Sequence, residues 1–230
     1  SRSVSGLNLD GTEVQISQEF GTYEYRNTTV SAVSGDENYG LSVSAGALRT
    51  DNKRPNDAFS RDLVSARFDY KITEPLSFEW LGQYVEADKE IPGSTVAPST
   101  DRGQKTATWL LSPGFKYKTD ELQLHLFYSR SENRLDNYNA GAQNDIMVET
   151  DELHFQADYL AVESVLVSVG TTYRSEAAFN SNVAFFGPPV AYEDNFEQLG
   201  LYAQAIWNVS ETLERRGGLS YDDYSDYNNR

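Results

Sequence analysis

The 230-residue chain has no cysteine. Disulfides and thiolate metal sites are thereby excluded, and the fold must hold through packing and backbone hydrogen bonds. Long hydrophobic runs are also missing, as the mean hydropathy of −0.58 indicates. A membrane-spanning helix needs ~20 consecutive apolar residues and is ruled out. A transmembrane barrel is not, because its strands need only ~9–11 residues with every second one apolar. Positive charge is scarce: 19 Lys and Arg stand against 35 Asp and Glu, for a net charge of −16. With no basic patch to neutralise phosphates, no nucleic-acid partner is expected. The opening SRSVSGLNLDG has neither the basic nor the apolar region of a signal peptide. No Gly-x-Ser-x-Gly elbow, phosphate loop or His-Glu-x-x-His motif occurs. His125 and His154 sit singly between apolar neighbours, which makes neither a catalytic pair nor a metal site. The chain is not expected to be an enzyme.

Strand-forming residues are what the sequence has instead, with 15 Tyr and 11 Phe. Residues 28–51, TTVSAVSGDENYGLSVSAGALRTD, set the rule. From Tyr39, Leu41, Val43, Ala45 and Ala47 alternate with Gly40, Ser42, Ser44 and Gly46, a period of two that means a strand with unlike faces. Thr28, Val30 and Ala32 form a preceding strand, and Ser34-Gly35-Asp36-Glu37-Asn38 supplies the turn.

The pattern recurs along the chain. A first strand covers residues 12–20; later ones carry Val64, Ala66, Phe68 and Tyr70, then Phe78, Trp80, Gly82 and Tyr84, then Ala107, Trp109, Leu111, Phe115 and Tyr117, with a bulge expected at Pro113. Leu122, Leu124, Leu126 and Tyr128 mark a seventh strand; Leu153, Phe155, Ala157 and Tyr159 an eighth; Val165, Val167, Val169 and Tyr173 a ninth; Leu199, Leu201, Ala203, Ala205 and Trp207 a tenth; Gly217, Leu219 and Tyr221 an eleventh. The face opposite Phe68 holds Ser65, Arg67, Asp69 and Lys71, a set suited to a water-filled lumen rather than a dry core. Two glycosylation-type triplets, at Asn27 and Asn208, fall in a strand and at a strand end and are treated as accidental.

Short turns at Gly35, Pro75, Asp120, Ser164 and Glu211 alternate with long connections at Pro55, Thr95, Gly141 and Gly187, the latter two spanning about 133–145 and 180–195. Alternating short and long connections are what an up-and-down barrel produces with turns at one rim and loops at the other. Tyr39, Tyr70, Phe78, Trp80, Phe115, Tyr117, Tyr159 and Trp207 lie near the short turns on the apolar face, as rings gather where hydrocarbon meets headgroups. The expected fold is all-β, an antiparallel up-and-down meander of about eleven strands forming part of a transmembrane β-barrel.

Three stretches resemble the barrel of TonB-dependent outer-membrane transporters, most nearly the cobalamin and siderophore receptor type. They are residues 11–51, with their tight turn at Gly35-Asp36; residues 196–210, FEQLGLYAQAIWNVS; and residues 217–229, GGLSYDDYSDYNN, an apolar-aromatic run ending in an Asp-Tyr-rich rim. The resemblance implies that residues 1–10 lead in from a plug domain, that 11–230 form the first half of a barrel of about twenty-two strands, and that neither plug nor TonB box is in the sequence. It further implies uptake of a cobalamin-like nutrient or a siderophore-type metal chelate in the outer membrane of a Gram-negative-type bacterium. The partners would be lipid, the small nutrient chelate and, only through the plug, the TonB complex. A carbohydrate- or protein-binding β-domain and a barrel-borne hydrolase are the alternatives.

Two groups are candidate sites. Phe185, Phe186 and Tyr192 give the long connection before the tenth strand an apolar content suited to ligand contact, or to packing against neighbouring loops. Asp222, Asp223 and Asp226 could offer hard oxygens to calcium, or form a solvated acidic rim. No other cofactor is expected.

Overall fold

The structure, a computed structural model, describes residues 11–94, 96, 101–139, 142–183, 189–210 and 213–225. Eleven strands follow one another in chain order: β1 (Gly11–Phe20), β2 (Arg26–Gly35), β3 (Tyr39–Thr50), β4 (Phe59–Lys71), β5 (Leu76–Glu90), β6 (Arg102–Lys118), β7 (Leu122–Asn139), β8 (Ala142–Val162), β9 (Val165–Val183), β10 (Val190–Ser210) and β11 (Leu213–Tyr224). They form one sheet in which each strand pairs antiparallel with its sequence neighbours, and β1 and β11 are its two edges.

The alternation in the sequence dictates this sheet's two faces. A register row from Tyr39 passes through Tyr70, Phe78, Phe115, Leu126, Phe155, Thr171, Leu201 and Tyr221. Apart from Thr171 it is aromatic and aliphatic from end to end. On this face Phe68, Tyr70, Phe78 and Phe115 pack ring against ring, with Phe78 and Phe115 at 5.2 Å between centroids. Val43, Phe68, Leu124, Phe155 and Leu201 all share this face, as the alternation predicts.

The apolar face covers nothing. Among the described residues no hydrophobic side chain is buried, and Leu201 and Tyr159 remain 44% and 47% exposed. The accessible surface of 15513 Å² is about half as much again as the ~10,500 Å² expected of a compact protein of this mass. A single layer with a bare apolar belt is stable only where something apolar lies against it.

The same row shows how the sheet is sheared. Tyr39 is the first residue of β3 and Tyr221 the ninth of β11, so eight residues of stagger accumulate over eight strand steps. One residue of rise per strand spacing corresponds to a tilt of about 35°, the inclination that lets a sheet curl into a barrel.

The short turns fall where expected, between β2 and β3, β4 and β5, β6 and β7, β8 and β9, and β10 and β11. At the other rim two expectations are corrected. Residues 133–145 are not a long connection: β7 and β8 run on as a paired ladder to Asn139↔Ala142. Likewise β9 and β10 remain paired as far as Asn182↔Val190, which places most of 180–195 in strand. Pairing in a hairpin satisfies backbone N–H and C=O groups whether or not a face is apolar, so the absence of an apolar face did not mark a loop. Longer connections do separate β3 from β4 and β5 from β6, and Asn56 Nδ2 ties the two together by donating to the carbonyls of Ile91 and Arg102 at 2.9 and 3.0 Å. Asn56 itself has φ 52°, a left-handed conformation that asparagine accepts.

Pro113 brings no bulge. Leu111↔Arg130 and Gly114↔Phe127 keep one register on either side of a gap in the β6–β7 ladder, while Trp80↔Pro113 continues the ladder with β5. The absent N–H is thus confined to one side of the strand. The register shifts that do occur lie near the short turns, between Leu160 and Val162 and between Asn208 and Ser210.

Candidate functional site

The polar face carries the chemistry. Near the short-turn rim its centre is Glu79 on β5, directly opposite Asp69 on β4. Two facing carboxylates repel, and three cationic or proton-bearing groups offset this. Lys116 Nζ lies 2.7 Å and His125 Nε2 2.9 Å from the Glu79 carboxylate, and an Arg67 terminal nitrogen lies 3.7 Å away. Arg67 also donates two hydrogen bonds to Asp69, at 2.9 and 3.0 Å. Four strands, β4 to β7, contribute to this cluster.

Gly114 lies beneath the cluster. It stands between Glu79 and Phe127 in the register row, and a Cβ there would come within 3.1 Å of the Phe127 Cβ and 3.4 Å of the Glu79 Cγ. The bare backbone gives room at Phe127 above all, and the Glu79 side chain lies across β6 toward Lys116 and His125. Beyond it Phe127 stacks on His154 with centroids 4.8 Å apart, and His154 Nδ1 meets the Thr172 hydroxyl at 2.9 Å. A cavity of about 210 Å³ opens over Arg67, Glu79, Leu81, Ser112, His125 and Phe127. A second, of about 510 Å³, lies toward the turns between Lys71, Glu74, Lys116, Gln156 and Asp158. The two histidines, isolated in the sequence, are therefore parts of one hydrogen-bonded and stacked wall. In the sequence Glu79 is flanked by Phe78 and Trp80, and strict alternation around them is the signal that locates it on the polar face.

Toward the loop rim both faces become polar. On the side that continues the apolar belt, Arg130 lies 3.2 Å from Glu149 and 3.7 Å from Asp151, and Asp136 faces Asp145. Burial first, and then the Asp145 charge, hold the Asp136 carboxyl above the ordinary carboxylate range.

The candidate ligand and calcium residues divide as follows. Tyr192 is in β10, opposite Asn180 and on the polar face, its hydroxyl donating to Asp194 at 2.6 Å. Phe185 and Phe186 lie outside the described residues. Asp222 faces Gly200 on the polar face, whereas Asp223 faces Leu199 on the apolar one, since successive strand residues point oppositely. Asp226 lies outside the described residues. Among the described residues no group of three or more His, Asp or Glu side chains is placed to hold a metal.

This geometry, a tilted antiparallel meander with an uncovered apolar belt and a hydrogen-bonded polar face, defines a wall of an outer-membrane-type β-barrel. No protein-family model matches the sequence, and no curated protein matches it. Solved structures do match. The ferripyoverdine receptor of the outer membrane of Pseudomonas aeruginosa, bound to ferripyoverdine, superposes with a TM-score of 0.80 at 10% identity, over 94% of this chain and 37% of that one. The alcaligin outer-membrane receptor FauA of Bordetella pertussis gives 0.79 at 15% identity, over 94% and 36%. The ferric yersiniabactin uptake receptor FyuA of Yersinia pestis gives 0.71 at 10% identity, over 94% and 43%. The chain spans less than half the length of each, and it has the fold of part of the barrel of TonB-dependent outer-membrane receptors.

Proposed function

We propose that this chain is part of the barrel wall of a TonB-dependent outer-membrane receptor that takes up a small nutrient chelate. The observation that carries the reading is the single-layered sheet with one apolar and one charged face, sheared as a barrel requires and superposable on siderophore receptors. Lipid would cover the belt, and the Glu79 cluster would face the aqueous interior. Its role in such a wall is read as non-enzymatic: ion pairs and stacked rings hold the polar face together, and the His154–Thr172 hydrogen bond belongs to that wall. A siderophore-type metal chelate is the favoured cargo, with cobalamin as the finer alternative. Calcium at Asp222 or Asp226 belongs to the same proposal.

Closure follows from strand direction. With eleven consecutive antiparallel strands, β11 runs the same way as β1. Antiparallel closure therefore requires an odd number of further strands, which makes the total even, as single-chain bacterial barrels have it. A second copy in the same orientation would meet these edges in parallel and does not fit.

The test is uptake by cells that produce the protein and by cells deleted for it, using radiolabelled ferric siderophores and labelled cobalamin with and without an uncoupler of the proton-motive force. Energy-dependent uptake lost on deletion supports the proposal, and the arm that is lost names the cargo. Equal uptake of every probe by both strains overturns it.

A further inference from the structure

The loop end of the polar face carries a feature that ion pairing does not explain. Gln104 on β6, Asn137 on β7, Asn144 on β8 and Asn182 on β9 are successive register partners, four carboxamides in one row across four adjacent strands. Asn180 follows on the same face of β9, opposite Tyr192. In a chain with 54 charged Asp, Glu, Lys and Arg residues (19 plus 35), an uncharged row of this length stands apart.

The amides do not satisfy one another. The side-chain oxygens of Asn144 and Asn180 are buried and accept no hydrogen bond, and among the described residues no hydrogen bond joins the four amides of the row. A buried carbonyl oxygen without a donor costs free energy, which these amides recover only by turning toward a donor in the adjoining cavity. Asn137, Asn144 and Asn182 also line a cavity of about 240 Å³, together with Ile91, Arg102 and Gly103.

Spacing decides the kind of donor. Adjacent strands lie ~4.8 Å apart, so the row presents one amide per ~4.8 Å along a line crossing the strands. That repeat is close to the length of a pyranose unit in a linear glycan, whose hydroxyls both donate and accept. An extended peptide presents same-side groups every second residue, ~6.8 Å, and falls out of step with the row. The four amides are themselves uncharged, with Lys89 on β5 next in the row and Arg102 at the cavity as the flanking charges.

We propose that the row Gln104–Asn137–Asn144–Asn182, with Asn180 beside it, is a binding site for a neutral linear oligosaccharide, each sugar unit meeting one amide. The site stands on the polar face alone and does not depend on the cargo being a metal chelate.

The experiment uses membrane vesicles from cells producing the full chain, titrated with fluorescently labelled cellotetraose, maltotetraose and chitotetraose. The matching monosaccharides and tetra-alanine serve as comparison probes. At least one tetrasaccharide should bind saturably, at least tenfold more tightly than its monosaccharide. Asn144→Leu combined with Asn182→Leu should weaken it at least tenfold, while Gln83→Leu, on the polar face away from the row, should leave it unchanged. Should the double variant fail to reach the membrane, Gln104→Leu at the end of the row should still cost about threefold. No saturable binding of any tetrasaccharide up to about 10 mM overturns the proposal. Binding unaffected by the row variants overturns it too, as does tighter binding of tetra-alanine than of every glycan. None of these results bears on chelate uptake, so the two proposals fail separately.

Discussion

The turn-side and loop-side halves of this sheet obey different rules. From Leu122 to Tyr128 on β7 and from Leu153 to Tyr159 on β8, one face is apolar and the other polar, with Phe127, stacked on His154, the exception on the polar side. Past Tyr128 the face that was apolar carries Arg130, Glu132, Arg134 and Asp136, and its partners on β8 include Asp151, Glu149 and Asp145. The backbone ladder runs through both halves without interruption. Strand pairing therefore does not need an apolar face; contact with lipid does, and only the turn-side half has one.

The sharpest break in this comparison comes from charge placed on the belt. Arg substituted at Leu124 or Leu201 should destabilise the protein in lipid by ~2–4 kcal/mol near the midplane, whereas Arg at Ser65 or Thr172 should have a small effect because those positions face water. Denaturant titration in lipid vesicles reads the difference. Comparable losses at all four positions would remove the distinction between the faces.

Next in size is the Glu79 cluster. Glu79→Ala leaves Lys116, Arg67 and His125 without their shared carboxylate and should cost ~1–3 kcal/mol. Lys116→Met in that background should recover part of the loss by removing an unpaired charge. A double-mutant cycle showing no coupling between the two positions would assign the cluster no energetic role.

The loop-side half should be far more tolerant. Replacing residues 132–149 by Asn-Gly, which joins the register pair Ser131 and Thr150 by a two-residue turn, should leave insertion into lipid unchanged within about 1 kcal/mol. Failure of this variant to insert would mean that the extension stabilises the belt. The smallest effect concerns pH. Because the folded state holds the Asp136 carboxyl above its ordinary value, it binds that proton more tightly than the unfolded state does. The resulting stability is present below pH ~4 and is lost as pH rises through the raised value. Asp136→Asn should therefore flatten the pH dependence of the melting temperature above pH ~4, and an unchanged slope would count against the Asp136–Asp145 contact.

The same contrast explains what the sequence made legible. Leu122, Leu124 and Leu126 announce a strand and its apolar face because they alternate with Gln123 and His125, and the same period of two marks most of the other strands. Arg134, Asp136 and Tyr138 alternate with Asn133, Leu135 and Asn137 just as regularly, yet both sets are mostly polar, so hydropathy gives no period and the segment resembles a loop. The Glu79 cluster needed the register between β4, β5, β6 and β7, which no single strand reveals. The amide row, built from one residue on each of four strands, is invisible for the same reason.

The most direct test of the two-faced sheet exploits the absence of cysteine. Single Cys residues placed in turn at positions 122 to 128, spin-labelled and reconstituted in lipid, would report contact with a lipid-soluble relaxer and a water-soluble one. The account predicts a period of two: labels at Leu122, Leu124, Leu126 and Tyr128 reached from lipid, and labels at Gln123, His125 and Phe127 reached from water. Uniform accessibility along the segment, or the inverted pattern, would contradict it.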